Sequence, residues 1–175
     1  MKLSLRRALI LFAAMIFALA TGMTAAQATT NFDNAPNGAH YAKGSGEPVC
    51  TLSGLTVTCT ATQIAGVGNT NATVKLVVNS TISGVCHNPG NDNVVDPFSK
   101  SVTAETSSNL TSTKNGRLVV PEQKTTATSN EVFLRTFSCP NPNWRPEVTS
   151  NVISSFTYTL TFAGFTQPAI TITGP

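Results

Sequence analysis

Strict alternation of apolar residues and threonine is the strongest pattern in this chain, and it lies near the C-terminus. Within residues 151–162, the apolar positions of this pattern are Phe156, Tyr158, Leu160 and Phe162. Threonine occupies the positions between them. Successive side chains of a β-strand point to opposite faces, so the pattern predicts a strand with one buried face. A turn near Ala163-Gly164 and a further strand at residues 168–173 are predicted to follow.

Residues 49–59 predict a disulfide-linked β-hairpin. With residues 54–55 as a two-residue turn, Cys50 faces Cys59, and the glycine that opens this turn favours type II′. One face of the hairpin then carries Cys50, Leu52, Val57 and Cys59. This register puts the cysteines at a non-hydrogen-bonded pair, where two strands are close enough for a disulfide. A turn at residues 53–54 would shift the cysteines out of step, so we favour the first register.

Further patterned segments predict the remaining strands. Residues 71–86 form a long half-buried strand, with its buried face at Val74, Leu76, Val78, Ile82 and Cys86. Within residues 101–120, Asn115-Gly116 predicts a hairpin with a strand on either side, and Pro121 indicates that the second strand is an edge. Residues 122–130 are polar and predict a loop. Residues 132–139 predict another strand.

These segments together predict an all-β fold. We expect a single antiparallel β-sandwich of immunoglobulin-like or jelly-roll type, with about eight strands and two disulfides. No helix is predicted in the sandwich domain, which spans residues 48–175. Residues 29–47 are polar, with Asn, Gly and Ser throughout and no visible period. They predict a flexible N-terminal leader in which Phe32 and Tyr41 are candidate docking points.

Residues 1–28 have the features of a secretory signal peptide. A basic start is followed by an apolar run at residues 8–20, and Ala26-Gln27-Ala28 fits the small-x-small cleavage pattern. The apolar run is too short for an uncleaved anchor. The twin arginine at residues 6–7 makes a twin-arginine export signal the second choice. We therefore predict cleavage after Ala28.

Cleavage after Ala28 changes the charge of the protein. The whole chain has 11 basic and 8 acidic residues, and the signal removes Lys2, Arg6 and Arg7 but no acid. The mature protein then carries eight residues of each sign and no net charge. A neutral chain gives no support for a nucleic-acid partner, which requires a clustered basic surface. No membrane span is predicted after cleavage, so we expect a protein that is secreted or associated with the cell envelope.

Four cysteines predict two disulfides, because exported proteins fold in oxidising compartments. They are Cys50, Cys59, Cys86 and Cys139, and three pairings are possible. The hairpin register favours Cys50–Cys59 and leaves Cys86–Cys139 for the second bridge. Zinc would need short Cys/His spacings and a redox site would need Cys-x-x-Cys, and these four cysteines offer neither.

Three short motifs resemble a group of small exported bacterial β-proteins. They are CHNPGN at residues 86–91 after a long strand, Asn-Gly at 115–116 before an apolar strand, and CPNPNW at 139–144 before the final hairpin. The resemblance covers about residues 50–175. It implies the β-fold and the Cys86–Cys139 pairing. The group has no assigned function, so the resemblance carries over no activity and no active-site residue.

The loop after Cys139 contains the candidate ligand-binding residues. Trp144 is the only tryptophan, and its ring could stack on a sugar. Asn141, Asn143 and Arg145 would then supply polar contacts to the same ligand. The structural alternative is that Trp144 covers the end of the sandwich or packs on the disulfide.

Signals for catalysis are weak. His40 lies in the leader, His87 follows Cys86, and the acidic residues are scattered singly. No nucleophile elbow, Walker motif or dinucleotide-binding loop occurs, so we predict no enzymatic activity, no cofactor and no metal. One question stays open at residues 88–97, where Asn and Asp offer oxygen ligands for calcium. The spacing does not match an EF-hand, and both residue types are also ordinary turn formers.

The sequence as a whole predicts an exported non-enzymatic β-sandwich that acts at the cell envelope or outside the cell by surface contact. The signal, the disulfides and the neutral composition rich in Thr, Ser and Asn support this function. Its partner is expected to be an extracellular protein or a glycan. The alternative function is that of a carbohydrate-binding module that uses Trp144.

Overall fold

The computed structural model describes residues 25–90 and 94–175. The strands are β1 (Ala25–Gln27), β2 (Thr29–Thr30), β3 (His40–Tyr41), β4 (Val49–Ser53), β5 (Thr56–Cys59), β6 (Thr62–Ala65), β7 (Ala72–His87), β8 (Val94–Leu110), β9 (Arg117–Val120), β10 (Gln123–Thr126), β11 (Arg145–Phe162) and β12 (Ile170–Gly174). A short helix, α1, spans Asn130–Leu134, and a 3-10 turn spans Phe32–Asn34. In the described part of the chain, no helix has the length and apolar content needed to cross a membrane.

Three antiparallel sheets pack around one apolar core. Their strand orders are β2-β12-β11-β7-β8, β1-β4-β5-β10 and β3-β6-β9. Large side chains at the centre are fully buried: Ile64, Leu76, Leu118, Tyr158, Leu160 and Ile172. The predicted all-β antiparallel fold with two disulfides is confirmed. It has more strands than expected because several are only two to four residues long, while the immunoglobulin-like or jelly-roll type stays a prediction.

The five-stranded sheet has one face in the core and one face turned away from the other sheets. Along β7, every second residue from Ala72 to Cys86 is buried, and the residues between them are exposed or half-buried. On β11, the apolar residues Phe156, Tyr158 and Leu160 are buried in the same way. We call the buried side the inner face and the opposite side the outer face. The alternation in the sequence therefore predicted both faces of these strands.

A three-stranded arm extends beyond the main core. It is formed by residues 80–87 of β7, 94–103 of β8 and 145–155 of β11. β12 pairs with β11 only at residues 156–160, so it does not extend along the arm. Residues 127–139 cover the inner face of the arm. From β8, the ring of Phe98 packs on Phe133 at 6.0 Å and on Phe137 at 4.3 Å between ring centroids. The arm thus has a small apolar cluster of its own.

Residues 132–139 were predicted as a strand, and this prediction is wrong. Residues up to Leu134 belong to α1, which begins after Ser129. The Ser129 hydroxyl accepts a hydrogen bond from the backbone N of Val132 at 3.3 Å, and Glu131 lies in the first turn. Both features stabilise a helix N-terminus. Sequence analysis missed this helix start because a short apolar segment is compatible with a helix and with a strand.

Residues 122–130 were predicted as a loop, but they contain β10, which pairs with β5. Gln123 and Thr125 of β10 are buried. Gln123 Nε2 donates to the carbonyl oxygen of Pro121 at 3.1 Å, and Thr125 Oγ1 donates to Thr106 Oγ1 at 2.8 Å. Polar side chains can occupy the interior when they keep such bonds. Polar composition was therefore a misleading sign of a loop.

Asn115-Gly116 forms a tight turn, but the strands beside it do not make the predicted hairpin. Gly116 has φ of 68°, which glycine adopts without strain. β8 belongs to the five-stranded sheet, whereas β9 pairs with β6 in the three-stranded sheet. The turn therefore carries the chain from one sheet to another. The edge position of β9, predicted from Pro121, is confirmed.

The N-terminal segment is incorporated in the fold. Residues 1–24 of the predicted signal peptide lie outside the described residues, but β1 pairs with β4. The predicted leader contains β2 and β3, each paired with a strand of the domain. The rings of Phe32 and Tyr41 meet edge to face at 5.2 Å, and the Tyr41 hydroxyl shares a 2.6 Å hydrogen bond with Thr30 Oγ1. Phe32 and Tyr41 also pack against the main core, and these contacts hold the leader against the domain.

Candidate binding surfaces

The predicted ligand-binding residues lie together at the end of the arm. The side-chain oxygen of Asn141 accepts from the backbone N of Asn143 at 3.0 Å, and its carbonyl oxygen accepts from the N of Trp144 at 3.0 Å. These bonds close a tight turn directly before β11. Trp144 is half-buried, whereas Arg145, the first residue of β11, is exposed. The turn thus places a half-buried tryptophan directly before an exposed arginine in the chain.

Both predicted disulfides are formed. The Cα atoms of Cys50 and Cys59 are 4.0 Å apart, and those of Cys86 and Cys139 are 5.9 Å apart. All four residues are buried. The first bridge lies in the main core. The second holds the segment after α1 against β7, and it fixes the start of the loop that carries Trp144.

A close contact between an imidazole and a carboxylate also lies at the end of the arm. His87 Nε2 is 2.7 Å from a carboxylate oxygen of Glu147, and Arg145 is next to them. A shallow cleft of about 330 Å³ is lined by His87, Arg145, Pro146 and Glu147. An imidazole–carboxylate pair resembles half of a catalytic triad. The lining residues of this cleft include no hydroxyl or thiol that the pair could activate.

The outer face is a broad surface of hydroxyl and amide groups. Its members on β7 and β8 are Thr73, Asn79, Thr81, Ser83, Ser99, Ser101, Thr103, Ser107 and Asn109. Its members on β11 and β12 are Ser155, Thr157, Thr159, Thr161, Thr171 and Thr173. Lys75 and Glu105 form a 2.8 Å ion pair on the same face. Sequence analysis recognised polar strand faces but did not assign this surface to a site.

Hydrogen bonds between neighbouring strands order these side chains. Asn79 connects three strands, because its Nδ2 donates to Ser155 Oγ at 3.1 Å and its Oδ1 accepts from Thr103 Oγ1 at 2.8 Å. Near one end of the face, Thr73 Oγ1 donates to Asn109 Oδ1 at 3.0 Å. Side chains already held in one rotamer lose less entropy when they bind a partner. The outer face is therefore preorganised for contact.

A groove lies at the end of the outer face that is remote from the arm tip. Its volume is about 640 Å³. It is lined by Asn71, Ala72, Thr73, Lys75, Asn109, Leu110, Thr111, Thr159, Thr161, Phe162, Ala163, Gly164 and Phe165. The residues come from the start of β7, the end of β8 and the turn after β11. Sequence analysis missed this groove because these segments are far apart in the chain.

Within residues 25–90 and 94–175, no group of three or more His, Cys, Asp or Glu side chains is placed to hold a metal ion. Residues 88–97, where the sequence left calcium binding open, fall partly on residues 91–93, outside the described residues. Asn88 Oδ1 accepts from the backbone N of Gly90 at 3.0 Å, a bond typical of an Asx turn.

Comparisons with protein-family models, with curated proteins and with solved structures give no match to this chain. Its function is therefore argued from the chemistry and geometry of its own residues.

Proposed function

We propose that this chain is an exported, non-enzymatic protein that acts at the cell envelope or outside the cell by surface contact. The outer face carries the proposal. It offers many hydroxyl and amide groups, each of which can donate and accept hydrogen bonds, with Val77 and Val152 as apolar positions among them. Such a surface matches the polar groups of an extracellular protein or a glycan.

The charge of the outer face supports a contact that does not depend on electrostatic steering. Lys75 and Glu105 offset each other at 2.8 Å, and Arg145 and Glu147 add one charge of each sign near the arm tip. Binding through neutral hydrogen bonds and close fit is expected to depend weakly on salt, because screening acts mainly on exposed charges. A partner that is bound in this way need not carry a particular charge.

The disulfides support a site of action in an oxidising compartment. Both bridges are buried, and the longer one ties the arm to the segment that covers it. Disulfides persist in exported proteins and are rare in reducing compartments. They also stabilise a chain that must remain folded without the chaperones of the cell interior.

Co-sedimentation tests the proposed function. The exported protein is incubated with isolated cell walls and with insoluble glycans, and the bound fraction is measured after centrifugation. We expect binding to at least one of these materials. A double variant, Ser101→Glu and Ser107→Glu, adds two charges to exposed positions of the outer face and should reduce the bound fraction at least about tenfold, because buried unpaired charges are costly at an interface.

A matched control variant carries the same change elsewhere. Ser53→Glu and Ser138→Glu also replace two exposed serines, one in the β4–β5 hairpin and one before Cys139. This control should sediment like the unmodified protein. Equal loss of binding in both variants would indicate a non-specific effect of charge and would contradict the outer-face proposal.

A second candidate function is glycan binding at Trp144. The turn closed by Asn141 favours it, because the half-buried Trp144 and the exposed Arg145 follow this turn directly. Trp144→Ala should then abolish sedimentation with glycans, while the Ser101/Ser107 variant should bind normally. The opposite result would assign binding to the outer face and leave Trp144 as a packing residue.

A further inference from the structure

We infer that the groove at the end of the outer face binds a neutral oligosaccharide. The inference rests on the proposed surface-contact function, and it adds a ligand class and a place. The groove is distinct from the Trp144 turn, which lies at the tip of the arm. Its volume of about 640 Å³ falls within the range of about 300–1,000 Å³ that is typical of ligand sites.

The polar lining of the groove suits the hydroxyl groups of a sugar. Thr159 and Thr161 project from β11 on the outer face, beside Thr73 of β7. The bond from Thr73 Oγ1 to Asn109 Oδ1 fixes the orientation of the Asn109 amide at the opposite wall. Hydroxyl and amide groups can each donate and accept, which is what a polyhydroxylated ligand requires.

The charge balance of the groove favours a neutral ligand over an acidic one. Lys75 lines the groove, and its ammonium group lies 2.8 Å from Glu105. The carboxylate offsets the positive charge that would otherwise attract an anion. The ammonium keeps further N–H groups that can donate to a sugar hydroxyl. An acidic ligand would have to approach the Glu105 carboxylate as well, which costs free energy.

One aromatic side chain adds an apolar wall. Phe165 lies in the turn after β11, where its backbone N donates to the carbonyl oxygen of Phe162 at 3.1 Å. Phe165 is half-buried and packs against the main core. Its aromatic ring can contact the C–H groups of a pyranose while the polar wall binds the hydroxyl groups of the sugar.

A titration monitored by NMR tests the inference. The exported protein, labelled with ¹⁵N, is titrated separately with chitotetraose, cellotetraose and maltotetraose, and with tetragalacturonate as an acidic probe of similar length. We expect at least one neutral probe to shift the amide signals of Asn71, Thr73, Asn109 and Gly164. Shifts confined to the Trp144 turn, or binding of tetragalacturonate alone, would overturn the inference.

Two variants on the same strand separate the groove from the rest of the outer face. Thr73→Arg places a long side chain in the groove, whereas Thr81→Arg places the same side chain on the same face about 26 Å away. We expect Thr73→Arg to lower the association constant for the bound tetrasaccharide about tenfold or more, and Thr81→Arg to change it less than about twofold. Equal effects of the two variants would overturn the inference.

A third variant tests the charge argument. Glu105→Gln keeps the size of the side chain but leaves Lys75 without its carboxylate. It should raise the association constant for tetragalacturonate about threefold or more, while that for the neutral probe stays within about twofold. No gain for the acidic probe would contradict the neutralising role of Glu105.

The outcomes distinguish this inference from the proposed function. If no tetrasaccharide binds, the groove is not an oligosaccharide site, and the inference fails. Surface contact would still stand if the Ser101/Ser107 variant loses sedimentation with cell walls. The Ser101/Ser107 variant and its Ser53/Ser138 control could sediment equally while Thr73→Arg no longer binds the tetrasaccharide. The groove would then be a binding site, and the rest of the outer face would not.

Discussion

Phe98 lies over Gly84, its partner on the neighbouring strand of the arm. A Cβ atom at residue 84 would be 2.5 Å from Cζ of Phe98, and it would be closer still to the carbonyl oxygen of Glu147 on β11. Real Cβ atoms do not approach other atoms so closely. A residue without a side chain is therefore required at this position, which lies between the Phe98 ring and the backbone of β11.

Gly84→Ala should destabilise the protein for this reason. We expect the free energy of unfolding to fall by about 1–3 kcal/mol, measured by chemical denaturation, because the added methyl group forces the backbone or the Phe98 ring to move. Gly46→Ala is the matched control, since no heavy atom lies within 4 Å of its added Cβ. The control should leave stability unchanged or slightly raised. Equal stability of both variants would contradict the steric argument.

The longer disulfide should contribute more stability than the shorter one. Its loop spans 53 residues against 9 for Cys50–Cys59. Loop entropy predicts a contribution of about 4 kcal/mol for the longer loop and about 3 kcal/mol for the shorter one. Removal of Cys86 and Cys139 by alanine should therefore lower the melting temperature more than removal of Cys50 and Cys59. Equal melting temperatures would contradict the ranking.

Removal of the hydroxyl group should change the free energy of unfolding differently at Tyr158 and at Tyr41. Tyr158 is fully buried, and among the described residues its hydroxyl has no hydrogen-bond partner. Tyr158→Phe should therefore leave the free energy of unfolding unchanged or raise it by up to about 1 kcal/mol. Tyr41→Phe removes the 2.6 Å bond to Thr30 and should lower it by about 1 kcal/mol. A larger loss in Tyr158→Phe would show that its hydroxyl has a partner.

The buried hydroxyl group of Tyr158 also predicts that the protein loses stability in alkaline solution. Burial raises the pKa of Tyr158 above its ordinary value of 10.0, and the nearby Tyr41 adds to this shift. Above about pH 10 the unfolded chain releases this proton while the folded chain retains it, so the folded state loses stability as pH rises. Melting temperatures measured from pH 8 to 11.5 should fall more steeply for the unmodified protein than for Tyr158→Phe. Parallel curves would contradict this assignment.

Removal of the predicted signal peptide should uncover the edge of β4. We expect the exported protein to begin at Thr29, which an intact-mass measurement checks. Residues 25–27 pair with β4, and Ala26 and Ala28 pack against the core, so cleavage removes these contacts. A chain that begins at Ala25 should therefore unfold at higher denaturant concentration than one that begins at Thr29. Identical midpoints would mean that β1 adds no stability.

The β4–β5 hairpin shows how much local sequence can predict. Its observed register pairs Cys50 with Cys59, Leu52 with Val57 and Ser53 with Thr56, as the turn at residues 54–55 required. The positive φ of 56° at Gly54 explains why glycine opens this turn. Turn, register and disulfide depend on eleven consecutive residues, so no distant information was needed.

The sequence could predict one of the two candidate sites, the Trp144 turn, but not the groove. The Trp144 turn could be predicted because its residues are consecutive and the Asn-Pro-Asn sequence favours a turn. The groove could not be predicted, because Thr73, Asn109 and Thr161 come from three strands. Their proximity depends on the placement of β7 between β8 and β11. The threonine alternation in β11 indicated only that one face was polar.

The sequence by itself determined which side chains of β7 and β11 face the core, because a period of two fixes the two faces of any strand. Tertiary structure alone decided which strands became neighbours. Asn115-Gly116 joins strands of different sheets, β10 is a strand despite its polar residues, and Ser129 begins a helix. In each case the preference of a short segment is small beside the free energy gained when the whole chain buries its apolar surface.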